Sequence, residues 1–429
     1  MKKRLLLLTL AVLLTLATGA ENYPYHSDWL WVTTPSHADW NYQTGEQARV
    51  HIQLLHYGMP YEGAIDYSIG NDMQADEQTG TLTLKDGRAT LSVGTLKQPG
   101  FRDLRLRLKN GRQTLTSHHV KVGFSPEKIR PVTKEPSDFL DYWQRALEQD
   151  RKFKLDYTIE PVETLSTGKS NCYLMKLRLN RQGQTMYGYL FVPKQAKPKS
   201  CPVVLCPPGA GVKTIREYTL QPYYADKGCV RLVVEIHGLD PRMPESYFDN
   251  VRSAFSDYLS FGLEDRDAYY MRHVYLGLVR CIDLLTSLPE WDGMNVVTQG
   301  GSQGGALAIV AAALHPAVTH CIANHPALSD MAGLGYPHFN RKQLTPSVLH
   351  TLSYYDVVNF ARHLKAHTFL TWGYNDDVCP PTTSWAVWNT LTCEKEKLVT
   401  PVNEHWTSET TDQQQLSWLL KHLIGSASK

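Results

Sequence analysis

The sequence predicts an α/β protein in two folded units, a small all-β sandwich followed by a mostly parallel sheet with helices on both faces. Three observations predict it: a period-two alternation of apolar and polar residues early in the chain, a later succession of short buried strands and helical stretches, and a glycine-flanked serine where one such strand meets a helix. At 429 residues the chain exceeds the ordinary size of one domain, so two units behind a leader is the expected division.

The leader comes first. Lys2, Lys3 and Arg4 precede an apolar stretch from Leu5 to Ala17 and small residues ending at Ala20, the pattern of a secretory signal peptide cleaved near Ala20. The stretch is short of the ~20 apolar residues that span a bilayer, so no stable membrane insertion is expected. The first cysteine is Cys172, leaving none near the cleavage point to carry a lipid. The expected product is exported, periplasmic or extracellular, with residues 1–20 as signal peptide, 21–125 as an immunoglobulin-like β-sandwich and 126–429 as the second unit.

In the sandwich, Val50, Ile52 and Leu54, then Leu82 and Leu84, Leu91 and Val93, and Leu104, Leu106 and Leu108 alternate with polar residues, as strands with one buried face do. Asp86-Gly87 and Asn110-Gly111 fall between such runs and suit the positive φ angles of tight hairpins. Residues Ser125 to Pro136 are proline-rich and read as a linker, after which Ser137 reads as the N-cap of a helix through Phe139, Tyr142, Trp143 and Leu147.

The second unit opens with two antiparallel strands, Tyr173–Leu179 and Met186–Val192. Buried strands follow at Pro202–Leu205, Val230–Ile236, Met294–Val297, Thr319–Ala323 and Thr368–Trp372, most of them separated by helical stretches such as Tyr269–Leu288. At the end of Met294–Val297 stands Gly300-Gly301-Ser302-Gln303-Gly304-Gly305, followed by the helical run Ala306–Leu314. G-x-S-x-G arises by chance in roughly one chain in seven of this length, so the motif alone is weak. Its place between a buried strand and a helix is the context of a nucleophile elbow, where glycines let the chain turn sharply and expose the serine, and it identifies the α/β-hydrolase fold. A glycine-rich turn that merely packs helix to sheet is the bland alternative.

A serine needs a base, and the base needs a carboxylate, in the chain order Ser, Asp or Glu, His for this fold. Asp376 and Asp377 follow the strand Thr368–Trp372; by position alone either serves. His405 lies on a loop after the strand-like Lys397–Val402, whereas His422 sits among the apolar residues of a terminal amphipathic helix, so His405 is the expected base. Two amides must hold the oxyanion: that of Gln303, after the nucleophile, and one from Pro207-Pro208-Gly209-Ala210-Gly211, assigned to Ala210.

With a net charge of +2 and no basic stripe, nothing in the sequence asks for nucleic acid as a partner, and none is expected. No histidine spacing such as H-E-x-x-H calls for a metal, and no cofactor is required. The eight cysteines show no paired spacing; Cys201 and Cys206 flank one strand, face opposite ways and do not bond each other.

These residues resemble the acetyl xylan esterase and cephalosporin C deacetylase group, the seventh carbohydrate esterase family, over most of Pro136 to His405. The likeness lies in Pro136-Ser137-Asp138-Phe139, the Gly300–Gly305 elbow, Leu328-Ser329-Asp330 and Asp376–Pro381. It implies Ser302, His405 and an oxyanion donor at Ala210, and favours Asp376 over Asp377. Two segments depart from the family: Pro208-Gly209-Ala210 stands for its His-Gly-Tyr, and Glu235-Ile236-His237-Gly238 for its Arg-Gly-Gln, a motif linked to hexamer assembly, so a homo-oligomer stays open. The sandwich resembles that of the extended esterases of carbohydrate-degrading gut bacteria.

The resemblance implies an exported serine esterase that hydrolyses acetyl esters of small molecules or oligosaccharides. Two alternatives stand beside it: a peptidase with the same triad, as in prolyl peptidases, and a non-catalytic carbohydrate-binding protein whose sandwich is the working part.

Overall fold

The computed structural model describes residues 28–180, 183–212, 215, 223–333, 339 and 342–425. The expected signal peptide lies outside them.

The N-terminal strands are β1 (Trp29–Pro35), β2 (Asn41–Tyr42), β3 (Ala48–His56), β4 (Met59–Pro60), β5 (Gly63–Asn71), β6 (Asp76–Leu84), β7 (Arg88–Gly94), β8 (Gly100–Asn110) and β9 (Gln113–Phe124). They form a four-stranded sheet, with β3 between β1 and β7 and also paired to β4, and a five-stranded sheet in the order β2-β9-β8-β5-β6. The period-two pattern explains the packing. Val50, Ile52 and Leu54 of β3 are buried against Leu104, Leu106 and Leu108 of β8, while their neighbours Arg49 and His51 point to solvent.

Of the two turn signals, the second closes the expected hairpin, between β8 and β9 with Gly111 at φ 59°, and the first does not. Asp86 and Gly87 do take φ 51° and 68°, and Lys85 and Arg88 exchange backbone hydrogen bonds around them. Yet β6 continues into one sheet and β7 into the other, so the turn is a passage between layers and not a hairpin. At the second signal β8 runs through Asn110 to pair with Gln113, so the turn residues are Gly111 and Arg112.

The second sheet has nine strands: β10 (Asp156–Pro161), β11 (Ser170–Arg178), β12 (Thr185–Pro193), β13 (Cys201–Cys206), β14 (Val230–Glu235), β15 (Trp291–Gly301), β16 (His320–Asn324), β17 (His367–Gly373) and β18 (Lys395–Thr400). Their order is β10-β11-β12-β14-β13-β15-β16-β17-β18. The β10 to β12 edge is antiparallel, and every pairing from β14 through β18 is parallel. The helices are α1 (Phe139–Asp150), α2 (Glu245–Arg252), α3 (Met271–Ser287), α4 (Gln303–Leu314), α5 (Pro346–Ser353), α6 (Val357–Ala361), α7 (Pro381–Thr390) and α8 (Glu409–His422).

Both faces of this sheet are covered, as its unbroken apolar strands require. On one face Val203, Leu205 and Val296 pack under α3 and α4; on the other Val204, Val297 and Ile322 pack under Leu416, Trp418 and Leu419 of α8. Cys201 and Cys206 fall on opposite faces, and all eight cysteines are unpaired. Strand order reverses at β13, which has β14 on one side and β15 on the other, and the crevice outside the strand ends at such a point is where ligands bind in open α/β sheets. Among the described residues no helix is long and apolar enough to cross a membrane.

Two expectations near the linker are corrected. Helix α1 is capped at Asp138 and not at Ser137, and the Asp138 side chain makes no cap bond because it serves Tyr354 and Arg266. The linker itself is fastened down. Asp330 Oδ1 accepts the amides of Val132 and Thr133 at 2.7 Å each, and the buried Asp356 carboxylate accepts from Thr133 Oγ1 at 2.8 Å, Asp330 N at 2.8 Å and Met331 N at 2.5 Å. Asp356→Ala strands these donors in a fully buried site, so we expect a loss of about 3 kcal/mol or more in urea unfolding. An unchanged midpoint would show that the network carries no stability.

Candidate active site

Strand β15 ends at Gly301, and α4 begins at Gln303. Between them Ser302 holds φ 60° and ψ −125°, a conformation that side chains other than glycine's rarely adopt. The surrounding backbone enforces it. Ser302 N donates to Asn324 O at 3.0 Å, and Ser302 O accepts from Ala306 N and Ala327 N, each at 3.0 Å. The glycines allow the close approaches this needs. A Cβ on Gly300 would run into the Gly304 carbonyl, one on Gly304 would stand 2.5 Å from Pro207 O, and one on Gly305 2.6 Å from Asn324 O. Ser302 thus sits at the N-terminal end of a helix whose first amides lack intrahelical partners and favour negative charge.

A cavity of about 880 Å³ lies over these strand ends. Ser302 and His405 both line it, as do Gly209, Gly211, His325 and residues of α8 including Glu409 and Gln413. Ala210 lies between the two lining glycines and is exposed, while Gln303 is buried and its Oε1 accepts from the Tyr258 hydroxyl.

His405 and Asp376 meet behind the cavity. Nδ1 of His405 is 2.8 Å from Oδ2 of Asp376, and Asp376 Oδ1 accepts the amides of Val378 and Cys379 at 2.8 Å each. The carboxylate is wholly buried and only accepts, so Nδ1 carries the proton and Nε2 is left as the basic nitrogen. Asp377 goes elsewhere, to Arg105 at 2.9 Å and Lys121 at 2.7 Å on the N-terminal strands. His422, at the end of α8, bonds the Trp418 carbonyl at 2.8 Å and does not line the cavity. Among the described residues no hydrogen bond joins the His405 ring to the Ser302 hydroxyl, which lies beside the Cys379 thiol; burial pushes that thiol well up and keeps it protonated. Serine–histidine bonds are often long before substrate tightens them.

Two histidines that sequence reasoning passed over stand at this site. The His325 ring lies 4.4 Å from that of His405, and burial pushes it down to about 4, so it stays neutral and adds no charge beside an imidazolium. No motif marks it; only the end of β16 brings it there. His237 is likewise pushed down to about 4 by burial, and its Nδ1 is 2.7 Å from the Tyr270 hydroxyl. It belongs to the departing segment, which closes on itself: Glu235 accepts the amides of His237 and Leu239 at 2.8 Å each, and burial pushes Glu235 up to about 7.

Residues 126–334 and 336–422 match the acetyl xylan esterase (AXE1) family. The chain is 51% identical over 433 residues to the acetyl esterase Axe7A of Xylanibacter ruminicola, an alignment covering 98% of this chain and 97% of that relative. Two solved structures share the fold: acetyl xylan esterase from Paenibacillus sp. R4 (TM-score 0.61, 23% identity, 70% of this chain and 98% of that one) and acetyl xylan esterase 1 from Thermoanaerobacterium sp. JW/SL YS485 (TM-score 0.59, 22% identity, 71% and 98%).

The elbow geometry makes a prediction. In Gly304→Ala the new methyl meets main-chain atoms that cannot swing away, Pro207 O at 2.5 Å and Pro208 C at 3.2 Å. We expect a cost of about 1–3 kcal/mol, read as a lowered melting temperature, because the shift falls on the turn and the Pro207 loop together. Parental melting and turnover would mean that the turn has slack the contacts do not show.

Proposed function

The chain belongs to the acetyl xylan esterase family, and from this we propose that it is an exported serine esterase that removes acetyl groups from carbohydrates, with Ser302 as nucleophile, His405 as base and Asp376 as the acid. The observation that carries the reading is the His405–Asp376 pair at 2.8 Å beside a serine held at positive φ on the wall of the same cavity.

In this mechanism Ser302 Oγ attacks the acetyl carbonyl as His405 Nε2 takes its proton, and Asp376 holds the ring and the imidazolium that forms. The amides of Gln303 and Ala210 bind the oxyanion. Collapse expels the sugar hydroxyl, which leaves with the proton from His405, and the acetyl group stays on Ser302. Water, deprotonated by the same ring, then releases acetate and restores the serine. The tautomer matters at each transfer, and Asp376 sets it.

The relative's name, an acetyl esterase, supports the acyl group, and the cavity supports a hydroxyl-rich alcohol. Glu409, Asp412 and Gln413 from α8, with Tyr223 bonded to that helix at the Asp412 carbonyl, offer acceptors and an aromatic face of the kind that binds sugars. Export rests on the leader, Lys2-Lys3-Arg4 and the apolar run behind it, with cleavage near Ala20 into the periplasm or medium. We divide the mature chain at residues 125 and 126, because β9 ends at Phe124 and the family match starts at 126.

The test is acetate release from acetylated xylan and an aryl acetate. Ser302→Ala should lower turnover by about 10³ or more, and Asp376→Asn by about 10³–10⁴ through the wrong tautomer, with unchanged melting temperatures. Turnover at the parental rate in Ser302→Ala would end the assignment, and cleavage of an aminoacyl amide with no acetate release would replace esterase by peptidase.

A further inference from the structure

The loop that carries Asp376 runs from the end of β17 at Gly373 to the start of α7 at Pro381, and it is built against the N-terminal strands as much as against its own sheet. Tyr374 donates its hydroxyl to Asn41 Oδ1 at 2.9 Å and meets Phe101 edge-on, ring centroids 4.8 Å apart. Asn375 Oδ1 accepts the backbone amide of Lys121 at 2.9 Å. The carbonyl of Asp376 accepts from Lys121 Nζ at 2.9 Å. Asp377 lies 2.7 Å from the same nitrogen and takes two hydrogen bonds from Arg105, at 2.9 and 3.1 Å. Consecutive residues 374 to 377 therefore each have a partner on the N-terminal strands, and for 375 to 377 that partner is Lys121.

Lys121 is an unusual residue to find there. Its side chain has no exposed surface. Burial by itself would drive the ammonium toward neutrality; Asp72, Asp103 and Asp377 outweigh it and hold the group above its ordinary range, charged. Asp72 Oδ1 lies 2.9 Å from Nζ, and Asp72 Oδ2 accepts from Thr382 Oγ1, on the first turn of α7, at 2.6 Å. The oxygens of Asp72, Asp376 and Asp377 around Nζ match in number the protons it carries. A buried ion cluster of this kind is a poor source of stability, since apolar packing of equal volume commonly does as well; what it supplies is a fixed geometry. Here the geometry belongs to the peptide at Asp376, whose carboxylate faces the other way, toward His405. On the same strand, two residues back, His119 Nε2 stands 3.8 Å from Glu404, the neighbour of His405.

We propose that Lys121 is a positioning residue of the esterase, through which strand β9 of the N-terminal sandwich holds the Asp376 loop in register with His405. The inference rests on the reading of Asp376 as the acid of the triad. The sandwich is then part of the catalytic apparatus and not an appended binding module. Releasing the loop lets the carboxylate drift from Nδ1, and a misplacement near 1 Å costs on the order of 10²-fold in rate.

The experiment compares Lys121→Met, Lys121→Arg and Asp376→Asn in the full chain, with kcat and KM for an aryl acetate and the melting temperature of each. For Lys121→Met we expect kcat to fall by about 10- to 100-fold with KM moved less than about threefold, and Lys121→Arg to recover part of the loss. Should Lys121→Met not fold, Lys121→Met with Asp72→Asn removes the buried cation and one opposing charge together and is read in the same way. A kcat within about twofold of the parent, or a loss shared equally with KM, overturns the proposal. If Asp376→Asn is inactive while the Lys121 variants keep the parental kcat, the triad stands and only the positioning role falls; if Asp376→Asn is fully active, both fall.

Discussion

One strained turn of backbone governs this molecule. Ser302 can hold φ 60° only because β15 enters the turn and α4 leaves it with glycines where any side chain would strike main chain, and because Asn324 and Ala327 bond its own peptide groups. The nearly all-apolar α4 follows directly, buried between the sheet and its neighbours with Ala306 through Ala311 fully covered. Gly304 must touch Pro207 for the turn to close, so the elbow also sets the loop after β13 that we assign to the oxyanion. The proposed nucleophile and the loop proposed for the oxyanion are thereby fixed by the same backbone contacts, on either side of the point where strand order reverses.

The other half of the site is held by loops and not by a turn, and its rigidity has a different origin. Asn375 donates its amide to Asn403 O at 3.1 Å, and Tyr374 bonds Pro401 O at 3.2 Å, so the acid loop and the histidine loop are tied to each other before the side chains meet. Gly373 permits this, since a Cβ there would collide with Asn403. From outside, the N-terminal strands press on the same loops with buried charge. The Asp376 carboxylate, proposed to orient the His405 ring, is held by two amides of its own loop, and that loop is held in turn by a separate set of sheets.

Charge is distributed to suit the proposed chemistry. His325 and His237, both near the cavity, are kept neutral by burial, so the cation that forms during turnover on His405 meets no other positive ring. Behind the acid loop, the buried Lys121 and the half-buried Arg105 face Asp377 and not the carboxylate of Asp376. Adjacent aspartates therefore do opposite things, one turned to the imidazole and one to the sandwich.

The sequence alone determined what local chemistry encodes. An elbow of the form Gly-x-Ser-x-Gly dictates its own backbone, continuous apolar strands dictate a sheet covered on both faces, and period-two runs dictate sandwich strands; in the structure each of these features lies where the residues imply. Boundaries and partners across long separations were legible only in part. The cap at Asp138 in place of Ser137, and the passage between sheets at Asp86-Gly87, depend on what Asp138 and β7 find far along the chain. The same holds for Asp376 and Asp377: position left them equal, and the placement of one against His405 and the other against Lys121, 256 positions earlier, was decided by packing of β9 on the loop. His325 carries no signal at all. A residue's neighbours in sequence fix its φ and ψ, but which side chain it faces across a cavity is set by strand order and domain packing, which only the folded chain contains.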